Sequence, residues 1–322
     1  MQKIKKIVTI GGGSGQYVLL SGLRDLENID ITAIVAMTDS GGSTGRLRDE
    51  YGILPPGDIM KCLLALSPYR DTDRRLLLKR FQSNKRLQGH SVGNLLLMIL
   101  SQKAGSFPEG VEAFGEMIET RGRVLPITTD KATLVAELSN GEMLYGEAAI
   151  DVPRGQREEK ITKTFLVPHH HEKIRVYSPV IEAIREADYL IIGPGDLYTS
   201  IIPNLLVPEV AEEIQRSKAK IVYIANIMTK YGETYGYDLE RFKEEIEKNV
   251  LRPLDIILVN NTMIEKEVSD KYLTQKAGVV SWDKIDDITK QKIIFSDLLS
   301  VKGGIIRHDA EKLAKEIGKL FL

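Results

Sequence analysis

The residues able to do chemistry in this sequence sit in short glycine-rich loops. The first is Gly11-Gly12-Gly13-Ser14-Gly15, which follows an apolar run and precedes a helical pattern. Glycine lets the chain turn tightly and approach a ligand, and the helix beyond it offers free N–H groups and a partial positive charge to a phosphate. The loop lacks the Lys-Ser/Thr ending of a Walker loop, and Val18 breaks a GxGxxG spacing. Gly12, Gly13, Ser14 and Gly15 are expected to hold phosphate, although a bare β–α turn has the same composition.

A second loop reads Thr38-Asp39-Ser40-Gly41-Gly42-Ser43-Thr44-Gly45-Arg46-Leu47-Arg48. Asp39 stands where dinucleotide folds place an acid on a ribose hydroxyl. Gly41, Gly42, Ser43 and Thr44 supply backbone and hydroxyl groups, and the forks of Arg46 and Arg48 match phosphate oxygens bidentately. The plainer alternative is a solvated loop with its arginines paired to Asp49 and Glu50. Further on, Pro55 and Pro56 stiffen the approach to a helix that Asp58 can cap, and spacing alone favours that role. Asp39 and Asp58 together can also hold Mg²⁺ beside a phosphate through carboxylate oxygens. In Gly89-His90-Ser91-Val92-Gly93-Asn94, His90 and Asn94 are ligand candidates, while Ser91 also fits a plain helix cap.

The second half repeats the pattern at strand ends. Gly193, Gly195, Asp196, Thr199, Ser200 and Asn204 follow one apolar run, and Asn226 with Thr229, then Asn260, end the next two. Open α/β sheets bind ligands at the carboxyl ends of their strands. Asparagine there bonds a base or sugar, or caps a turn locally. His169, His170 and His171 are adjacent, with no acid or cysteine motif completing a zinc set. Cys62 lies in an apolar helical run and reads as buried and inert. No Ser-His-Asp elbow is present.

These loops need strands and helices to place them. Non-alternating β-branched runs at 4–10, 31–37, 189–192, 221–224 and 256–259 predict strands buried on both faces, separated by helices at 16–26, 207–217 and 239–249. Strand–helix–strand order at this spacing predicts a Rossmann-like, doubly wound, mostly parallel α/β sheet. One domain over 1–322 is expected, with a helical segment at about 58–120 and a β-hairpin insert at about 131–167. The hairpin has alternating runs within 132–150 around Ser139-Asn140-Gly141 and extends through 161–167. An amphipathic helix over 308–320 should pack on the sheet.

Composition bounds the function. The chain has 322 residues, net charge −1 and one cysteine. No overall field draws it to nucleic acid or an anionic membrane, and a disulfide framework is excluded. The short apolar run after the basic start suits a first strand better than a signal peptide, and nothing approaches a membrane span. A cytoplasmic protein with no nucleic-acid partner and no membrane insertion is expected, with homo-oligomers as its expected assembly.

Taken together, GGGSG, DSGGSTGRLR, GILPPGD, GHSVGN, GPGDLYTSIIPNLLV, NIMTKYGETYGY and LVNN stand in the order of the CofD/YvcK-like family. The chain resembles most closely its YvcK branch, the gluconeogenesis factors, over about residues 7–262. That resemblance implies a UDP-sugar-binding protein, for UDP-N-acetylglucosamine, linked to cell shape and wall synthesis on gluconeogenic carbon. The sister branch moves a phospholactyl group onto a deazaflavin, with Mg²⁺ on aspartates whose positions match Asp39 and Asp58. The branch usually carries two aspartates before the glycine pair, and Ser40 replaces the second, which weakens a metal site. Tyr235 stands where a small or acidic residue is common. The preferred expectation is a regulatory binder, with Gly12–Gly15, Asn226 and Asn260 at the nucleotide and Arg46 and Arg48 at the diphosphate. A transferase using Mg²⁺ on Asp39 and Asp58 as its catalytic residues is the alternative, and an NAD-binding protein a weaker one.

Overall fold

The computed structural model describes residues 3–69, 72–82, 87–152 and 157–321. Strand β1 (Lys5–Gly11) leads through α1 (Gly13–Leu23) to β2 (Ile29–Val35). Helices α2 (Gly42–Tyr51), α3 (Pro56–Leu66), α4 (Thr72–Leu78), α5 (Val92–Ala104) and α6 (Phe107–Met117) follow, before β3 (Arg123–Pro126). The insert comprises β4 (Ala132–Leu138), β5 (Met143–Tyr145), the short α7 (Glu147–Asp151) and β6 (Ile161–Pro168). The second half runs α8 (Ser178–Glu186), β7 (Tyr189–Ile192), a π-helical turn Leu197–Ile201, α9 (Ile202–Leu205), α10 (Val210–Arg216), β8 (Lys220–Ile224), α11 (Leu239–Val250) and β9 (Ile256–Asn260). Then come α12 (Lys266–Thr274), α13 (Asp287–Lys290), β10 (Ile293–Ser296), a hairpin of β11 (Leu299–Lys302) and β12 (Ile305–His308), and α14 (Ala310–Lys319).

Seven strands form a parallel sheet in the order β3-β2-β1-β7-β8-β9-β10. Its central strands are buried on both faces, as in Ile7, Val8, Ile10, Leu190, Ile191 and Ile192, which explains their unbroken apolar runs. The chain winds outward from β1 through β2 to β3, and from β7 through β8 and β9 to β10. The winding reverses between β1 and β7, so a crevice opens at their carboxyl ends. This is the doubly wound α/β fold that the strand pattern predicts. No helix among the described residues is long and apolar enough to cross a membrane.

Buried polar side chains fix the crevice. Gln16 donates to Thr9 Oγ1 at 3.0 Å and to the Ile34 carbonyl at 3.1 Å, tying α1 to β1 and β2. Asn204 donates to the Gly11 carbonyl at 3.1 Å and to that of Ser200 at 2.9 Å, tying the β7 loop to the end of β1. Each such bond satisfies a group that would otherwise be costly to bury.

Three local expectations are corrected. The hairpin turns at Ser139–Gly141, with Gly141 at φ +85°, but its second arm stops at Tyr145 instead of running to 150. Gly146 at φ +89° breaks the strand, and the Ser40 hydroxyl accepts from the Ala148 N–H at 3.1 Å, so the segment starts a helix. Helix α14 packs mainly along α1, where a methyl on Gly22 would lie 2.1 Å from the Ala310 carbonyl oxygen, and meets the sheet only at its end, where the Tyr189 hydroxyl donates to the Leu320 carbonyl. Strands β3 and β10–β12 were not anticipated: they have four residues each and mostly half-exposed patterns, and their apolar stretches are at most three residues long.

Candidate functional site

A cleft of about 440 Å³ lies at the carboxyl ends of β1, β2, β7 and β8. The glycine loop forms one wall. Gly12 is extended and Gly13 takes φ +63°, a left-handed conformation that a side chain would strain. Helix α1 starts there, so the N–H groups of Gly13, Ser14 and Gly15 belong to its first turn, which has no helical acceptors. Gly195, Asp196, Thr199 and Ser200 face them from the β7 loop. Thr38 and Asp39 come from the end of β2, Asp58 and Lys61 from α3, Asn226 to Met228 from β8, Glu147 and Asp151 from α7, and Arg307 and His308 from β12.

The acids dominate this lining. Asp39 Oδ1 accepts from the Gly41 N–H at 2.8 Å, and burial followed by the charge of Asp58 pushes its carboxyl up. Asp58 does not cap α3: Pro55 occupies the cap position, and Asp58 Oδ1 instead pairs with Lys61 Nζ at 2.9 Å. Burial, then the charges of Asp39 and Asp151, push Glu147 up to about 7. Thr38 Oγ1 is buried in this cleft with no hydrogen-bond partner.

A second acidic group supports the wall. Oxygens of Asp151, Asp196 and Glu233 lie within 4.8 Å of one another, the spacing of a metal cage. The ammonium of Lys230 takes that role, 2.7 Å from Asp196 Oδ2, 2.8 Å from Glu233 Oε1 and bonded to Asp151. Burial opposes the lysine's charge, but the carboxylates outweigh it and push its pKa up. Glu233 is pushed up to about 7, first by burial, with Lys230 opposing and Asp196 adding to the rise.

His308 is held neutral. Its Nε2 lies 3.2 Å from the Ala225 carbonyl, and burial lowers its pKa to about 4. A depressed folded-state pKa gives stability that is present above the unfolded value near 6.5 and lost as pH falls towards 4. The expected loss is about 3 kcal/mol. Urea unfolding at pH 7 and pH 4.5 should show it, and His308→Gln should remove most of that pH dependence; an unchanged slope contradicts the assignment.

The structure brings together Gly12, Gly13, Ser14, Gly15, Asp39, Asp58, Gly195, Asp196, Thr199, Ser200 and Asn226. Other sequence candidates lie off the cleft. What reads as a loop from 38 to 48 becomes helical at Gly42, so Leu47 is buried in the core and Arg46 and Arg48 flank it. Arg46 donates to the Gln88 carbonyl, and neither arginine lines the cleft. Gly41 caps α2 and Gly42 opens it; Ser43 lies 2.8 Å from His90 Nδ1, and Thr44 bonds Asp39. The Asn94 N–H donates to Ser91 Oγ, so Ser91 is a helix cap. Gly193 turns the chain at φ +77°, Asn204 is structural, Thr229 accepts from the Gly278 N–H, and Asn260 clamps Leu298 and Thr262. The side chains of Asp49 and Glu50 lie outside the described residues.

Lys61, Glu147, Asp151, Lys230, Glu233, Arg307 and His308 escaped the sequence reading. Lys61 stands three residues after Asp58, and Glu147 and Asp151 stand i, i+4, both spacings that put side chains on one helix face. Arg307 and His308 carry no such signal.

A doubly wound parallel sheet with a glycine loop at its switch point is the α/β class that places its crevice at the carboxyl ends of the strands. Within that class, the model of the family described as 2-phospho-L-lactate transferase CofD matches residues 7–299, and the chain belongs to this family. It is 43% identical to a putative gluconeogenesis factor of Thermoanaerobacterium thermosulfurigenes, over 96% of this chain and 95% of that one. It is 41% identical to the gluconeogenesis factor of Bacillus subtilis (strain 168), over 96% of each. A crystal structure of a Bacillus halodurans protein superimposes with a TM-score of 0.90 at 37% identity, over 98% of this chain and 99% of that one. The family expected from the ordered loops is therefore the observed one.

Proposed function

We propose that the protein is a cytoplasmic regulatory binder of a UDP-N-acetylglucosamine-type nucleotide-sugar, acting in carbon metabolism, cell shape and wall synthesis as a gluconeogenesis factor. The observation that carries this reading is the start of α1, whose free N–H groups open on the switch-point cleft with Arg307 at the same cleft. Arg307 is exposed, and no described residue pairs with its guanidinium. A diphosphate between the glycine loop and this fork would receive both kinds of donor that bind phosphate best. The cleft volume is in the range of small-molecule sites.

Calorimetry with UDP-N-acetylglucosamine tests this reading, with NAD and GDP as competitors. Binding with a rise in melting temperature is expected. Arg307→Ala should weaken it about 10- to 100-fold, or about 1.4–2.7 kcal/mol. No heat and no thermal shift at millimolar ligand would contradict the proposal.

A second reading, a transferase of a phosphate-linked group, is favoured by Asp39 and Asp58 beside the glycine loop. The residues present fit a divalent ion: they offer hard carboxylate oxygens, with Thr38 Oγ1 unpartnered in the same cleft. Mg²⁺ held by Asp39 and Asp58 would neutralise phosphate charge there. For their part, the loop N–H groups would orient the phosphate, and Lys61 would offset part of the carboxylate charge. Nucleotide-sugar binding without turnover, unaltered by Mg²⁺ or by Asp58→Ala, would exclude this reading.

A further inference from the structure

The insert carries an acid into the cleft, and the turn after β2 fixes it in place. The Ser40 hydroxyl accepts from the Ala148 N–H at 3.1 Å, while the Ser40 N–H donates to the Glu147 carboxylate. A methyl on Gly41 would stand 3.4 Å from Asp39 Oδ1 and 3.9 Å from Glu147 Oε2. Glycine at 41 therefore leaves open a gap bounded by two carboxylates. Asp58 leans over the phosphate loop, since a methyl on Gly12 would stand 2.9 Å from its Oδ2. Thr38 Oγ1 is buried in the same cleft and bonded to nothing.

This arrangement has an electrostatic consequence. Three carboxylates beside a phosphate loop repel the anion that the loop's N–H groups attract. Lys61 offsets one of them, through its 2.9 Å pair with Asp58. Its charge also acts on Asp39, but no cation of the described residues pairs with Glu147. Small hard divalent ions suit such a place, because they bind through one or two carboxylates, substrate phosphates and retained waters.

We propose that Glu147 is a cation-binding residue, supplied by the insert, which completes with Asp39 and Asp58 a divalent-cation–diphosphate site. The inference rests on reading the glycine loop as the diphosphate site. Ser40 is then a positioning residue: it contributes no charge, and holds at the cleft the helix that does. Cation and ligand together tie the insert to the sheet.

Mn²⁺ binding, followed by the electron paramagnetic resonance of the free ion, tests the proposal on the full chain. Wild type and Glu147→Gln are compared, each with and without saturating UDP-N-acetylglucosamine. Wild type should bind Mn²⁺ more tightly with the nucleotide-sugar present. Glu147→Gln should lose about tenfold or more of the Mn²⁺ affinity. Equal Mn²⁺ affinity in the two proteins, or no Mn²⁺ binding under any condition, overturns the proposal. If the nucleotide-sugar binds neither protein while Mn²⁺ alone binds and is weakened by Glu147→Gln, the role of Glu147 stands and the nucleotide-sugar reading fails.

Discussion

Replacing Lys230 by methionine is expected to cost about 3–5 kcal/mol of stability near neutral pH, the usual penalty for leaving buried charges without their partner. Lys230 is bonded to Asp151 on the insert helix, to Asp196 on the β7 loop and to Glu233, whose side chain has no exposed surface. Methionine keeps the length of the side chain and removes the charge, so the three carboxylates would repel one another. Protonation relieves that repulsion, and Glu233 is already displaced to about 7. The deficit of Lys230→Met should therefore shrink as pH falls from 7.5 to 5.5. Lys230→Arg should recover part of the stability. Urea unfolding of the three proteins at both pH values measures this, and a methionine variant as stable as wild type would refute the lysine's bridging role.

Gly15→Ala is the second large effect. Alanine is the better helix former by about 1 kcal/mol, and Gly15 is not among the glycines with positive φ. Intrinsic preference alone would make the variant more stable. Its methyl would instead stand 2.2 Å from the Pro194 carbonyl oxygen and 2.6 Å from its carbon. Backbone cannot swing away as a flexible side chain does, so the glycine loop and the β7 loop must move apart. A net loss of about 2–4 kcal/mol is expected, in the range of overpacking against rigid backbone. Because those two loops are facing walls of the cleft, ligand affinity should fall with it. Gly13→Ala is the contrast: its nearest neighbour is 3.6 Å away, so the cost there comes from φ +63° alone, about 1–2 kcal/mol. A Gly15→Ala protein melting at or above the wild-type temperature would show that the two loops are not in close contact.

The sheet was legible because its strands are buried on both faces, and a run such as Leu190 to Ile192 has no other stable use at that length. The glycine loop was legible for a related reason: its backbone conformation demands glycine whatever the fold does elsewhere. The arginines lie off the cleft because a loop there becomes a helix, which sequence does not show. Once α2 starts at Gly42, the direction of each side chain follows the helix, and Leu47 takes the core position. Glu147 and Asp151 were hidden by a real alternating pattern that a tertiary bond from Ser40 overrides. Arg307 and His308 reach the cleft from the C-terminal hairpin, far along the chain from the glycine loop, and local pattern carries no record of that closure.

The central claim is that a nucleotide-sugar binds at the switch point, with its diphosphate on the start of α1. A crystal structure with UDP-N-acetylglucosamine tests it most directly. The account predicts phosphate density within hydrogen-bonding distance of the N–H groups of Gly13 to Gly15 and of the Arg307 guanidinium. Diphosphate density away from Gly12 to Gly15, for example against Arg46 and Arg48, would contradict it.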